Sequence, residues 1–339
     1  MPLDVRIAGL GSHLPGPPIT SAELADALGE PAGELERRTG ISVRHHASAG
    51  LGPSDLALEA AREALARAHT DTSDLGLIVF ATATPDVSFP GAACYLQDKL
   101  GAPTIGALDV RAQSVGFLCG LELARAFAGQ TAPGGDGRDG RYVRVLVAAG
   151  EVLSSGLDFS PRGRELTPRL ADGAAAAVIG PAEAGLRIGA IRWQTDGTLV
   201  DRFWCEFPAS RHHPHRIVAE DLAEGRHYPR VDLEGLAPIV RERLIRSVRE
   251  VLEDMSWRSA DVDTFLIDYA DPELARRIAA EIGVEAARTT VPTALFGHVM
   301  AAGLPIALER LASERGIGRR VLLAAAGPGL SWGAAALEA

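Results

Sequence analysis

The chain repeats one succession of helices and strands, and this repeat constrains its fold more than any other feature. Residues 56–68 form an amphipathic helical pattern, which leads into a continuous apolar run at 77–81 and then a Thr-Pro-Asp stop. The same order returns at 239–255, with an apolar run at 264–267 and an Asp-Pro stop. We therefore predict two tandem α/β halves related by a pseudo-two-fold axis.

Each half is predicted to continue with a helix, a short strand, a second helix and a buried strand. In the first half these elements are expected at 91–100, 105–110, 116–127 and 144–149. In the second half they are expected at 272–282, 288–291, 301–311 and 320–325. Continuous apolar strands that alternate with helices are typical of parallel sheets covered on both faces. A chance similarity between two α/β segments is the alternative explanation.

The two halves are predicted to span residues 1–173 and 174–339. Residues 201–228 are rich in His, Arg and Pro and lack periodicity, so we expect a surface loop or a cap over a site. Glycines crowd residues 134–141, which predicts a surface excursion.

Composition and charge argue against several classes of protein. The 339 residues are 47% hydrophobic, which is enough for a large core. No apolar run approaches the ~20 residues that cross a bilayer, and the N-terminus lacks the pattern of a signal peptide. The three cysteines form no CxxC pair, so we expect a reduced, cytoplasmic protein without membrane contact. A net charge of −10 argues against nucleic acid as the main partner.

The first candidate site is the segment 109–117 (DVRAQSVGF), where a short strand is predicted to end and a helix to begin. Ser114 lies at or near the helix N-terminus, where backbone N–H groups favour developing negative charge. This position suits a nucleophile whose attack creates an oxyanion. A simple serine helix cap is the alternative interpretation.

The second candidate site is the corresponding turn of the second half, 295–303 (LFGHVMAAG). His298 is a candidate general base there, and a buried structural histidine is the alternative. If the halves pack about a two-fold axis, the two turns meet and Ser114 faces His298. The glycine-rich loop at 324–333 either completes an oxyanion hole or is a tight turn. The stretch 211–215 (RHHPH) has no cysteines or carboxylates at ligand spacing, so we predict no metal site.

Five short motifs resemble landmarks of the ketoacyl-ACP synthase III family of the thiolase superfamily, in the right order across nearly the whole chain. They are GLGSHLP at 9–15, RTGI at 38–41, FPGAAC at 89–94, ADGA at 171–174 and GLSWG at 329–333. The resemblance implies a thiolase fold with five αβαβα layers, a homodimer, and no cofactor besides an acyl-CoA or acyl-carrier co-substrate. It also implies a ping-pong reaction, in which an acyl group passes from a thioester to an enzyme side chain and then to an acceptor.

Three departures from the family pattern concern its catalytic residues. The resemblance puts Ser114 at the position of the nucleophilic cysteine, Tyr269 at that of the catalytic histidine and His298 at that of the catalytic asparagine. That histidine and asparagine stabilise the enolate in decarboxylative condensation, so we expect this reaction to be impaired. Ser114 with His298 instead resembles a hydrolase-like nucleophile and base. The pair is similar to a branch of acyltransferases and starter-unit synthases in polyketide and antibiotic biosynthesis.

Supporting residues are also assigned by the resemblance. That branch often has an Asp five residues after the His, where this chain has Gly303, so Asp268 and Asp271 are candidates to orient His298. Pro328 offers no N–H, which leaves the N–H groups of Ser114 and Gly329 as the expected oxyanion donors.

Donor binding and dimer contacts are inferred in the same way. Arg38 and Arg164 are candidate donor-binding residues, and Phe89 matches a residue that the family projects across the dimer interface. Glu34 stands near the position of an adenine-stacking tryptophan, which favours a carrier-protein donor over CoA.

Three functions stay open. The favoured one is an acyltransferase that moves an acyl group from a carrier-protein or CoA thioester through Ser114 to an alcohol or amine of a small molecule. One alternative is a starter-unit ketoacyl synthase that forms a carbon–carbon bond. The other is a non-catalytic partner of an active homologue, which Gly303 and Pro328 favour.

Overall fold

The computed structural model describes residues 4–31, 33–128 and 144–339, so the glycine-rich segment 134–141 lies outside the described residues. The strands are β1 (Val5–His13), β2 (Ile19–Thr20), β3 (Val43–Arg44), β4 (Leu75–Ala81), β5 (Gly106–Val110), β6 (Arg144–Val152), β7 (Asp172–Pro181), β8 (Leu186–Thr195), β9 (Phe203–Trp204), β10 (Arg230–Val231), β11 (Thr264–Asp268), β12 (Thr289–Thr290), β13 (Arg320–Gly327) and β14 (Ser331–Glu338). The helices are α1 (Ser21–Leu28), α2 (Glu34–Thr39), α3 (Pro53–Arg67), α4 (Ala92–Leu100), α5 (Gly116–Ala128), α6 (Ala219–Ala223), α7 (Leu233–Asp254), α8 (Pro272–Ile282), α9 (Pro292–Phe296) and α10 (Gly303–Glu314).

Two five-stranded sheets have the same internal order. The first runs β5-β4-β6-β7-β1 and the second β12-β11-β13-β14-β8, and they join where β1 pairs briefly with β8. In each sheet the second strand is parallel to both of its neighbours, and the two following pairings are antiparallel. Because strand order and direction are both repeated, the predicted pseudo-symmetric halves are confirmed.

The helices form three layers that alternate with the sheets. α3 and α4 share a core with the outer face of the first sheet, where Leu56, Leu96 and Phe80 are buried together. α7 and α8 cover the outer face of the second sheet in the same way. α5 and α10 lie between the sheets and belong to one core with both of them. The order is therefore αβαβα, as the family resemblance implies. Within the described ranges, no helix is both long and apolar enough to cross a membrane.

Local signals placed most of the repeated elements. α8 occupies the predicted residues 272–282 because Asp271 caps its N-terminus, Pro272 suits its first turn and Gly283 ends it in the left-handed region. β1 was not predicted, since two glycines interrupt its apolar pattern. A Cβ at Gly11 would collide with the Ala60 carbonyl, so this glycine lets α3 lie directly on the strand.

The predicted division between residues 173 and 174 falls inside β7. β7 pairs with β1 and β6, which are both strands of the first sheet. The repeat itself therefore divides between β7 and β8, because the first sheet needs β7 to complete its five strands. The predicted cap, 201–228, contains β9 and α6, and β9 pairs with β10 just beyond it.

Candidate active site

Ser114 lies in a single turn of 3-10 helix between β5 and α5. The turn covers Gln113–Val115, and Gln113 has a φ of 45°, a strained value for a residue with a side chain. Ser114 is 1% exposed, and its Oγ has no hydrogen-bond partner among the described residues. The hydroxyl therefore does not cap α5, and the helix-cap interpretation does not hold.

His298 lies in the corresponding segment of the second half, between α9 and α10 and two residues before the matching 3-10 turn. It follows Gly297, whose φ is 83° and whose Cβ, if present, would lie 2.6 Å from Ala171 Cβ. The His298 N–H donates to the Arg169 carbonyl at 2.7 Å, and the Ala171 N–H donates to the His298 carbonyl at 3.0 Å. The backbone of His298 is thus fixed against the segment that leads into β7.

The two turns are structural copies of each other, and they meet. Met300 begins the second turn with a φ of 39°, close to that of Gln113 in the first. A Cβ at Gly116 would lie 3.2 Å from the Ala301 Cβ, so the turns are in contact at the centre of the molecule. The predicted meeting of the turns is confirmed. Ser114 and His298 do not hydrogen-bond each other, because Ser114 Oγ and His298 Nε2 both lack partners.

The His298 ring is buried beside polar groups of two elements, α9 and β11. Its Nδ1 lies 3.3 Å from Thr293 Oγ1 and 3.9 Å from Asp268 Oδ2. Burial lowers the pKa of His298 to about 3, and the positive charge of Arg169 acts in the same direction. The imidazole is therefore neutral near pH 7, which is the form that accepts a proton.

Asp268 is fully buried at the end of β11. The Thr293 hydroxyl donates to its Oδ1 at 2.5 Å, and the Thr293 N–H donates to the same atom at 3.3 Å. Its Oδ2 has no hydrogen-bond partner among the described residues. Burial raises the pKa of the Asp268 carboxyl to about 6, although the hydrogen bonds from Thr293 oppose this shift.

The other two predicted supporting residues are placed differently. The Tyr269 side chain is fully buried in the core of the second half, its hydroxyl has no partner among the described residues, and burial raises its pKa. The Asp271 carboxylate accepts from the N–H groups of Glu273 and Leu274 at the start of α8. Asp271 is thus engaged as a helix cap, whereas Asp268 is the carboxylate next to His298.

The glycine-rich loop between β13 and β14 lies directly over Ser114. A Cβ at Gly327 would collide with Ser114 Oγ, and it would lie 3.3 Å from the Ser114 nitrogen. Gly329 follows with a φ of 138°, in a region that favours glycine. The loop is therefore a tight turn that also lies next to Ser114. The roles of the Ser114 and Gly329 N–H groups as oxyanion donors stay predictions.

Two cavities flank this loop and the Ser114 turn. One of about 470 Å³ lies under the predicted cap, and one of about 450 Å³ lies beside α5. Gln113 and Gly329 line both cavities, so both reach the immediate neighbours of Ser114. Cap residues lining the larger cavity are Phe203, Trp204, Cys205, Phe207, Pro208 and His227.

The predicted donor and interface residues lie at the surface. Arg38 and Arg164 both pair with Glu30, at 2.9 and 3.2 Å, so they are neighbours although far apart in sequence. Phe89 is 81% exposed in the loop between β4 and α4. For the His-rich stretch, His212 stacks on Phe207 and lies 3.5 Å from Glu206. The described residues contain no group of three side chains fit to hold a metal ion.

Sequence reasoning missed two polar residues near the site. Thr293 contacts both Asp268 and His298, and its signal was its place in the short segment just before the Gly-His pair. Glu151 is fully buried at the end of β6, where it accepts from the N–H groups of Ala83 and Thr84 and from the Thr84 hydroxyl. Burial raises the pKa of Glu151 to about 7. An acidic residue directly after a buried strand was the available signal.

Comparisons with known proteins agree with this architecture. Residues 108–197 match the family model described as 3-oxoacyl-(acyl-carrier-protein) synthase III, and residues 252–339 match the model of its C-terminal part. A protein of Streptomyces coelicolor named beta-ketoacyl-(acyl-carrier-protein) synthase III 3 is 34% identical over 337 residues, which cover 98% of this chain and 96% of that protein.

Solved structures are similar over the full length. The 3-oxoacyl-(acyl-carrier-protein) synthase III of Aquifex aeolicus is 28% identical with a TM-score of 0.84, covering 99% of this chain and 100% of that one. A priming β-ketosynthase from a polyketide biosynthetic pathway is 26% identical with a TM-score of 0.85, covering 98% and 96%. The chain therefore belongs to the 3-oxoacyl-(acyl-carrier-protein) synthase III family and has the thiolase fold.

Proposed function

We propose that this protein is an acyltransferase that moves an acyl group from a carrier-protein or CoA thioester through Ser114 to an alcohol or amine of a small molecule. The observation that carries the proposal is the lack of hydrogen-bond partners at two buried side-chain atoms. Ser114 Oγ and His298 Nε2 are both buried without hydrogen-bond partners, on turns that contact each other. Buried polar atoms are normally paired, so two unpaired ones suit groups that pair only with substrate. The two cavities reach Gln113 and Gly329, the neighbours of Ser114.

The reaction has two balanced steps. In the first, Ser114 Oγ attacks the thioester carbonyl while its proton moves to His298 Nε2, and the thiol leaves with that proton as an ester forms on Ser114. In the second, His298 Nε2 takes the proton of the acceptor O–H or N–H as the acceptor attacks the ester. The proton then returns to Ser114 Oγ. A serine hydroxyl needs such a base, and the neutral His298 is the buried imidazole on the turn that meets the Ser114 turn.

Decarboxylative condensation is less well supported by the site. By resemblance, that reaction relies on a histidine and an asparagine where this chain has Tyr269 and His298. Tyr269 is fully buried in the core of the second half and offers a phenol where that reaction uses an imidazole. A priming ketosynthase function remains the second candidate, since a priming β-ketosynthase is among the similar structures.

The donor, assembly and setting are part of the same proposal. Arg38 and Arg164 lie together on Glu30 and offer cationic groups to an acidic carrier or to a CoA phosphate. We also propose a homodimer in which Phe89 contacts the partner, a cytoplasmic location and a role in polyketide or antibiotic biosynthesis. No cofactor besides the thioester is required by these steps.

The first experiment measures the intact mass of the protein after incubation with a panel of acyl-CoA and acyl-carrier thioesters. We expect the wild type to gain one acyl group and Ser114→Ala to gain none. The adduct should resist neutral hydroxylamine, because oxygen esters are less labile than thioesters.

A cysteine provides the matched control. Cys205 lines the larger cavity, so a thiol there is an alternative acyl acceptor. The proposal requires that Cys205→Ser keeps the adduct. An adduct that disappears in Cys205→Ser, or that persists in Ser114→Ala, would contradict it.

Two further outcomes separate the alternatives. Release of CO₂ from a malonyl thioester with formation of a ketoacyl product would establish the starter-unit synthase. Absence of any adduct on folded protein, together with a co-purifying homologue, would indicate the non-catalytic partner.

A further inference from the structure

The carboxylate of Asp268 lacks the cation that a buried carboxylate usually has. Its side chain is 1% exposed, and His298 is the one charged or chargeable group within 4 Å of it among the described ion pairs. Removing a carboxylate from water is unfavourable unless partners compensate. Thr293 supplies hydrogen bonds to Oδ1 alone, which leaves Oδ2 unpaired on the side of His298.

When Asp268 is ionised, the hydrogen-bond geometry indicates which nitrogen of His298 carries the proton. The Thr293 hydroxyl has one hydrogen, and its 2.5 Å contact with the ionised Asp268 Oδ1 uses it. The 3.3 Å contact between Thr293 Oγ1 and His298 Nδ1 then requires Nδ1–H as the donor. Nε2 is left with a free lone pair, which is the atom that must accept the Ser114 proton.

A comparison of the two halves shows that the Asp268 carboxylate has no counterpart in the first half. The last residue of β4 is Ala81 and the last residue of β11 is Asp268, while α5 and α10 both begin at a glycine. A Cβ at Gly116 would lie 2.9 Å from the Ala81 Cβ, and a Cβ at Gly303 would lie 2.5 Å from Asp268 Oδ2. The glycine thus belongs to the fold in both halves, and the second half alone fills the space beside it with an acid.

Gly303 does not need to be glycine for its backbone. Its φ of −57° and ψ of −53° are ordinary helical values that any residue adopts. The atoms nearest to its Cβ position are the three carboxyl atoms of Asp268. A side chain at 303 would therefore enter the same space from the opposite wall.

We propose that Asp268, acting through the Thr293 hydroxyl, is the positioning residue that holds His298 in the Nδ1–H form, and that it occupies the space beside Gly303. This inference rests on the proposed function for its catalytic consequence. The geometry also predicts an exchange: an aspartate at 303 can replace Asp268 once the side chain of Asp268 has been removed.

The first test reads the tautomer directly and needs no activity. Protein labelled with ¹⁵N-histidine carries nine histidines, and His298→Gln identifies the His298 signals by their loss. We expect the wild type to show Nδ1 protonated and Nε2 unprotonated. Asp268→Asn and Thr293→Val should shift the population towards Nε2–H, because the acceptor chain beyond Nδ1 is lost.

The second test measures single-turnover acylation of Ser114. We expect Asp268→Asn and Asp268→Ala to slow acylation by at least about 100-fold, since the wrong tautomer cannot accept the proton. Gly303→Asp alone should also be slow, because two carboxylates would compete for one space. The double variant Asp268→Ala/Gly303→Asp should recover at least about tenfold over Asp268→Ala.

Asp271→Asn is the matched control, since Asp271 is the neighbouring acid and Asn is an equally good helix cap. It should leave both the tautomer and the acylation rate unchanged. The proposal is overturned if Asp268→Asn keeps the wild-type tautomer and acylates within about threefold of the wild-type rate. A tautomer shift in a protein that no thioester acylates would instead leave the role of Asp268 standing and reject the acyltransferase function.

Discussion

At the scale of single residues, the site concentrates groups whose burial is unfavourable in isolation. Ser114 Oγ, His298 Nε2 and Asp268 Oδ2 are all buried without hydrogen-bond partners. Gln113 adds a strained backbone next to the serine, which costs on the order of 1–3 kcal/mol. Such features persist where function requires them, and here they lie in the segments around the two turns and at the end of β11.

The pH dependence of acylation should be set by Asp268. Burial raises the pKa of Asp268 to about 6 and lowers that of His298 to about 3, and the positive charge of Arg169 adds to the shift at His298. As the pH falls through about 6, Asp268 gains a proton and stops accepting from Thr293, while His298 stays neutral. We therefore expect the rate of Ser114 acylation to fall on the acid side of about pH 6.

Single-turnover mass spectrometry between about pH 5 and 8 checks this dependence. In Asp268→Ala, the residual acylation rate should no longer fall as the pH drops through about 6. A wild-type profile that is flat down to pH 5 would contradict the assignment.

At the scale of elements, the two similar turns position different functional residues. The first presents Ser114, and the second presents His298 two residues before the strained Met300. Gly297 makes the second turn possible, because its positive φ and its missing Cβ let His298 pair with the segment at Arg169 and Ala171.

Gly297→Ala should therefore destabilise the protein and displace His298. We expect a loss of at least about 2 kcal/mol in the free energy of unfolding, from backbone strain plus the clash with Ala171. Gly316→Ala is the matched control, since Gly316 has a similar φ of 77° but open space where a Cβ would be. It should cost about 1 kcal/mol from strain alone. Urea denaturation measures the free energy of unfolding of both variants. Equal decreases would show that the clash with Ala171 does not contribute.

At the scale of the whole molecule, β5 is a free sheet edge. In the described chain it pairs with β4 alone, and apolar side chains surround it. Val87, Phe89 and Leu108 are 42%, 81% and 36% exposed. Long apolar edges are normally covered, so this edge suits pairing with a second copy.

We expect the protein to sediment as a dimer and Leu108→Lys to convert it to a monomer, because the charge would lie within the covered edge. Leu295→Lys is the matched control, since Leu295 is 53% exposed on α9 of the second half, away from the β5 edge in sequence and sheet order. Analytical ultracentrifugation distinguishes the cases. A monomeric wild type, or the same response from both variants, would reject the predicted dimer.

Local information was enough to predict most of the architecture. Helical and strand periodicity depend on nearby residues, so the repeat and elements such as α8 were readable from the sequence. The αβαβα layering was implied by the family resemblance. β7 and β14 were not, because their alanine-rich segments carry no strong strand signal. The sequence also placed Ser114 and His298 in corresponding segments, although the structure matches Ser114 to Ala301 and puts His298 two residues before the second 3-10 turn.

The chemistry around His298 was decided by tertiary structure alone. Asp268 and Asp271 were equal candidates in the sequence, and Thr293 was not one at all. The structure puts Asp271 on the start of α8 and brings Asp268 and Thr293 together beside His298. The reason is physical: a side chain's partners depend on where separate elements pack, and no local pattern records that β11, α9 and the His298 turn converge.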